Sequence, residues 1–275
     1  MCNSGRAAAP EYWSTGVLIH RNTNGVSFYQ FSHLAACVDI RHGIFTRTGG
    51  CSPPPFNSLN VGHGIGDDAA GVETNRRVIG DCFRGAEFVY VRQVHGRQVI
   101  NLADFSAGQR ENPQPAEPIV GDAMVTDQPQ KFMVIQVADC QSVLMYEPFR
   151  QVAANVHCGW RGSIQNIIGR TVETMVQQFE CSPEHIIAGI GPSLGPCCAE
   201  FINYKAEIPQ AFWNYKDSNN HFDFWSISCD QLLHAGVRAK NIESSRICTS
   251  CRTDEFFSYR AEKNTGRFAA VIGLT

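Results

Sequence analysis

A chain of 275 residues, 43% apolar and 18% charged, has ordinary globular composition and enough length for a substantial core. Its formal charge of −3 supplies no basic stripe, so nucleic-acid binding through counterion release is not expected, and small-molecule chemistry is. The opening residues MCNSGRAAAPEYW lack an apolar signal core and no run of about 18 apolar residues occurs, so the sequence predicts no membrane span and a cytoplasmic protein.

The chain reads as a single domain over 1–275, with 1–15 flexible. Alternation from Gly16 to Phe31 around Asn24-Gly25 predicts a hairpin, and His42 to Thr46 a further strand. Gly and Pro then forbid regular structure over most of 47–66, a loop that is either a surface excursion or a lid, with Phe56, Leu59 and Val61 as its packing residues. Asp67 or Asp68 can N-cap a helix from Ala69 to Phe83. A strand over Glu87 to His95 follows, and Gln98 to Leu102 is expected to hairpin back against it. The polar, Pro-rich 104–118 reads as an exposed loop.

Phe132 to Val137 is a buried strand that runs into Asp139 and Cys140. Val143 to Tyr146 and Val152 to Val156 form a hairpin through Glu147-Pro148-Phe149-Arg150, ending at His157, Cys158 and Gly159. Ser163 is read as the N-cap of a helix from Ile164 to Phe179. Glu184 to Ile190 is a strand, followed by a tight loop, a short helix over Cys197 to Tyr204, a helix from Ser226 to Ala235, a strand over Ile242 to Cys248, an ordered Phe256 to Arg260 and a last strand from Phe268 to Ile272. No fixed period appears, which excludes a solenoid.

Twelve cysteines and nine histidines without a secretion signal favour reduced thiols, a nucleophile or metal ligands over a disulfide framework. Apolar strands run into His95, Cys140 and His157, and two imidazoles with one thiolate are a good donor set for zinc with one position left for water. A second reading makes Cys140 a nucleophile and His157 its base, with Asp139 orienting the histidine or moving a proton. The plainer alternatives are a hydrogen-bonded structural histidine, a small buried cysteine and a turn-capping aspartate. Cys248-Thr-Ser-Cys251 is a lone CxxC; no spacing rule pairs it with Cys197-Cys198 as a structural zinc site, so reduced thiols near the core are the simpler reading.

The segments NSLNVG (57–62), GDD (66–68), NRR (75–77), QVHG (93–96), GDAMVTD (121–127), VADC (137–140), HCGWRG (157–162), GPSLGPCC (191–198) and CTSCRTDEFFSYR with TGR (248–267) together resemble the YfiH family. This is the laccase-domain, polyphenol-oxidase-like family, also called the peptidoglycan editing factor family. The resemblance implies an α+β fold, an α/β sandwich with mixed β-sheets related to the cytotoxic necrotizing factor catalytic domain. It also implies zinc held by His95, Cys140 and His157. Cys158 departs from the usual alanine of the family; strand alternation should turn it away from His157, filling a small-residue position.

Copper oxidation fits poorly, because a trinuclear copper cluster needs several HxH pairs and the sequence has none. The resemblance instead implies phosphorolysis of adenosine, inosine or 5′-methylthioadenosine, together with adenosine deamination. It offers Arg47, Asn60, Arg161 and Arg260, which lie in or beside its motifs, as substrate or phosphate contacts. A cytoplasmic hydrolase that edits a peptidoglycan precursor with the same Cys/His centre is the alternative, and a non-enzymatic zinc-binding protein a third. The partners expected are a purine nucleoside and phosphate, with no protein partner.

Overall fold

The structure is a computed structural model that describes residues 18–83, 85–105 and 118–275. The segment expected to be flexible, 1–15, and nearly all of the loop expected at 104–118 lie outside the described residues. Among the described residues, twelve strands form two six-stranded mixed sheets. The first sheet has the order β1-β2-β3-β12-β7-β4, built from β1 Leu18–Thr23, β2 Val26–Phe31, β3 Ile40–Phe45, β4 Glu87–Tyr90, β7 Lys131–Val137 and β12 Phe268–Leu274. The second has the order β11-β10-β8-β9-β6-β5, built from β5 Val99–Asn101, β6 Ala123–Thr126, β8 Gln141–Glu147, β9 Val152–Cys158, β10 Ile187–Ile190 and β11 Ile242–Ser244.

Strand alternation explains the layering. Ile44, Met133, Ile135, Ala270 and Ile272 of the first sheet meet Met124, Leu144, Tyr146 and Ala153 of the second in a shared core. On β9, Val152, Ala154, Val156 and Cys158 face the other way, onto helices α4 (Ile167–Phe179) and α6 (Phe224–His234). The outer face of the first sheet packs Phe28, Phe45, Phe132 and Val271 against Ile79 and Phe83 at the end of α2 (Ala69–Asp81). Four shorter helices complete the set: α1 Ser32–Ala35, α3 Trp160–Ile164, α5 Tyr204–Glu207 and α7 Tyr259–Glu262. Because both faces of the second sheet are covered, all seven residues of β8 and of β9 are buried, which accounts for their continuous apolar runs. Among the described residues no helix is long and apolar enough to cross a membrane.

Asn155 marks the junction of the layers: its amide donates to the carbonyls of Met133 at 3.0 Å and Ala270 at 2.9 Å, both in the opposite sheet. The opening hairpin pairs Thr23 with Val26 around Asn24-Gly25, as its turn signal predicts. The 47–66 loop is pinned: the Asn75 amide donates to Ser52 Oγ, Ser58 O and Asn60 O, and Phe56, Leu59 and Val61 are buried. Its far end, Gly62 to Ile65, forms a wall of the central cavity.

Four expectations change. Gln98 to Leu102 does not return against β4; β5 belongs to the other sheet and runs parallel to β6. The strand from Glu87 ends at Tyr90, after which the chain crosses between sheets through a bridge of Arg92 with Val120. The helix expected over 164–179 is broken, because Asn166 adopts φ 55° and caps a new helix by accepting from Gly169 N. Cys197 to Tyr204 is largely a turn, with helix only from Tyr204.

Buried His42 accepts a hydrogen bond at Nε2 from the Phe31 amide, and burial pushes its pKa down to about 3. The unfolded chain therefore binds a proton below pH ~6.5 that the folded chain refuses until pH ~3. Stability contributed by neutral His42 is present above pH ~6.5 and lost on acidification, by at most about 1.4 kcal/mol per pH unit. A His42→Gln protein should lose correspondingly less between pH 6.5 and 4, read from urea midpoints; equal slopes for both proteins would refute this.

Candidate functional site

Two of the crossings between sheets create the site. The 91–98 segment, leaving β4 for β5, carries His95; the turn from β7 to β8 carries Asp139 and Cys140; and β9 delivers His157 near its end. One ligand atom from each of His95, Cys140 and His157 lies within 4.8 Å of the others. The His95 and His157 rings meet edge to face, 4.8 Å between centroids.

Asp122, which begins the run into β6, organises the trio. Its fully buried carboxylate accepts from the backbone amides of Val94 (3.1 Å), His95 (2.9 Å) and Gly96 (2.8 Å), holding His95 at φ 59°. Oδ1 also accepts from His157 Nδ1–H at 2.8 Å, leaving Nε2 for Cys140 and a metal. Burial alone would raise the Asp122 carboxyl, but the bond from His157 and those from the backbone hold it below the usual range.

The same balance operates at the thiol. Burial alone would raise Cys140; the charge and hydrogen bond of His157, then those of His95, bring it down to about 6. Burial alone would lower His157, while Cys140 and Asp122 raise it to about 9. Both shifts favour a Cys140 thiolate beside a protonated His157, and the thiolate is the form that binds metal or attacks carbon.

The donor set fits zinc. Zn–N of about 2.0–2.1 Å and Zn–S of about 2.3 Å place tetrahedral ligand atoms about 3.3–3.8 Å apart, and the ligand atoms of this trio all lie within 4.8 Å of one another. Gly159 makes the approach possible, since a Cβ there would lie 3.0 Å from both Cys140 Sγ and His95 Cδ2. Among the described residues no methionine lines the cavity to serve as the axial ligand of a blue-copper centre. Cys158 faces the helix-covered core, as alternation predicts, and burial pushes its thiol up to about 12.

The trio opens into a cavity of about 920 Å³. Among the described residues, Arg76, Arg92, Arg161, Arg260, Lys263 and Arg267 line it against one acidic residue, Asp139, and Tyr90, Trp160, Phe201 and Tyr259 supply aromatic surface. The Arg161 guanidinium lies over Trp160, 4.2 Å from its centroid, and the Arg260 guanidinium donates to the carbonyls of Cys198 and Glu200.

The other expected contacts divide. Arg161 and Arg260 line the cavity; Arg47 and Asn60 do not. Arg47 is buried, stacks 4.4 Å from the Phe257 centroid and donates to Asn57 O, Thr253 O and Glu262 Oε1. Asn60 bonds Asp67 and the backbone of Gly62 and Arg267. Both hold loops together, away from the cavity lining. Asp139 lines the cavity, yet its carboxylate accepts from Thr249 Oγ1, Ser258 Oγ and Arg260 N at 2.6–2.7 Å. Sequence reasoning passed over Asp122, Gly159, Arg76 and Arg267. The available signals were the motifs GDAMVTD, HCGWRG, NRR and TGR.

The profile of the family described as Multi-copper polyphenol oxidoreductase laccase matches residues 41–275. A protein of Bacteroides thetaiotaomicron named Purine nucleoside phosphorylase is 30% identical, over 84% of this chain and 89% of its own. The Escherichia coli (strain K12) protein named Purine nucleoside phosphorylase YfiH is 32% identical, over 83% of this chain and 91% of its own. Among solved structures, YlmD from Geobacillus stearothermophilus superposes with a TM-score of 0.81 at 28% identity, covering 94% of this chain and 99% of that one. A Bacillus licheniformis hypothetical protein YfiH gives 0.79 at 26% identity, covering 93% and 99%. With its two mixed sheets, its Cys/His trio and these likenesses over nearly the full described length, the chain belongs to the YfiH family of laccase-like domains.

Proposed function

We propose that the protein is a zinc-dependent purine nucleoside phosphorylase that also deaminates adenosine. The observation that carries this reading is a cavity in which six cationic side chains and several aromatic rings surround a Cys/His centre. Relatives named purine nucleoside phosphorylase support it. Phosphorolysis breaks the bond between ribose C1′ and the purine nitrogen, forms one from C1′ to a phosphate oxygen and returns a proton to the base. An anionic co-substrate and a flat leaving group are what such a cavity suits.

Zinc held by His95, Cys140 and His157 would supply a Lewis acid and, for deamination, an activated water. Arg161, Arg260 and Arg267 bind phosphate, and Tyr90, Trp160 and Tyr259 hold the purine ring. Asp139, with three donors on its carboxylate, is a positioning residue that fixes Arg260 and the 249–258 segment.

Incubation of the zinc-loaded protein with adenosine, with and without phosphate, tests the reading. Adenine and ribose 1-phosphate appearing only with phosphate supports phosphorolysis, inosine supports deamination, and neither product sinks it. Arg161→Ala should raise the KM for phosphate about tenfold or more with zinc content unchanged, the loss of one charge-assisted contact. An unaltered KM would remove Arg161 from the phosphate site.

The Cys140–His157–Asp122 chain favours one second reading, a thiolate hydrolase acting on a peptidoglycan precursor. That reading expects turnover without metal and rapid loss of activity on alkylation of Cys140.

A further inference from the structure

A second cysteine cluster lies outside the trio. Cys197 and Cys198 on the turn after β10 meet Cys248 and Cys251 on the turn after β11, and one sulfur from each lies within 4.8 Å of the others. Cys251 Sγ is 3.5 Å from the sulfurs of both Cys197 and Cys198. A disulfide would require about 2.05 Å, and sulfurs around one zinc at about 2.3 Å stand about 3.8 Å apart.

The surroundings are built for this approach. A parallel bridge joins Ser193 to Cys248, and Thr249 N donates to Ser193 O at 3.0 Å, so the two turns are already zipped by backbone. The Gly195 amide donates to Cys248 Sγ at 3.3 Å, a bond that stabilises a thiolate. Gly195 tolerates no side chain, since a Cβ would lie 2.6 Å from the Trp225 ring and 3.0 Å from Cys248 Cβ.

We infer that Cys197, Cys198, Cys248 and Cys251 form a closed, four-thiolate structural zinc site, distinct from the His95/Cys140/His157 centre. Four protein ligands leave no open position, so this zinc does no chemistry. It staples two loops that reach the cavity: Cys198 offers its carbonyl to Arg260, and Thr249 bonds Asp139. The inference stands apart from the purine reading, because it needs no substrate.

The test is metal content per chain, by inductively coupled plasma mass spectrometry, after growth with zinc and gel filtration without chelator. The Cys140→Ala protein should retain one zinc per chain, and a Cys140→Ala protein carrying Cys197→Ser and Cys251→Ser should retain none. Cobalt provides a second readout that does not rely on the triple variant folding. Cobalt-loaded Cys140→Ala protein should show the visible bands of a tetrahedral ion and a near-ultraviolet thiolate band sized for four sulfurs. A Cys140→Ala protein without zinc, a disulfide among these four residues in a non-reduced digest, or a cobalt spectrum lacking the thiolate band would each overturn the assignment.

Discussion

Cys140→Ala should empty the Cys/His centre and lower phosphorolysis by about 10²–10⁴-fold in kcat/KM, the loss expected when several kcal/mol of metal-supplied stabilisation is withdrawn. The reason lies in the position of Cys140. It is the single sulfur donor of the trio, and His157 and His95 favour its thiolate. Alanine leaves two imidazoles, one of which, His157, loses the thiolate that helped raise its pKa. The fold should persist, because the preceding strand β7 is held by β12 over 132–137 and by β4 over 131–134. Metal content and steady-state rates on the same preparation decide the matter. Full activity with as much zinc per chain as the unsubstituted protein would remove Cys140 from the centre, and lost activity with that zinc content undiminished would favour the nucleophile reading.

Asp122→Asn should weaken metal binding about 10–100-fold, the usual cost of losing a partner that orients a ligating histidine. The substitution preserves shape but replaces an acceptor by a donor. An NH₂ in place of Oδ1 would face the Val94 and His95 amides and His157 Nδ1, and one in place of Oδ2 the Gly96 amide, so either orientation leaves a buried N–H without its acceptor and weakens the anchor of the loop bearing His95. His157 simultaneously loses the carboxylate that fixes its Nδ1 proton. Two of three ligands are thus disturbed by one atom, and the melting temperature should fall as well. Competition with a chromophoric zinc chelator measures the affinity; an unchanged value would show that Asp122 does not set ligand geometry.

The centre was legible because each donor follows an apolar strand run, a local signal. Asp122 was not legible because its role depends on three amides from 94–96 and on an imidazole 35 residues further along the chain. Arg47 and Asn60 fall outside the cavity lining for the opposite reason. Polar residues within distinctive motifs suggest substrate contacts, yet buried polar side chains here are spent on holding loops. Periodicity located β4, but not where it ends. The Gln93 side chain exchanges hydrogen bonds with the backbone of Gln136 and continues the pairing after the strand has left, so the pattern outlasts the ladder. The crossing to β5 leaves no sequence trace, since parallel pairing with β6 is non-local.

Asn155 gives the two sheets a common origin of coordinates. To slide one layer against the other by a single residue, about 3.3 Å, the protein would have to give up both of its amide bonds in a dry interior. His157 lies two residues along the same strand, and Cys140 sits where the chain steps between the same two layers. The separation of those two donors is therefore a dimension of the whole sandwich. Loops around the mouth can be exchanged to accept other substrates while the ligand triangle keeps its size.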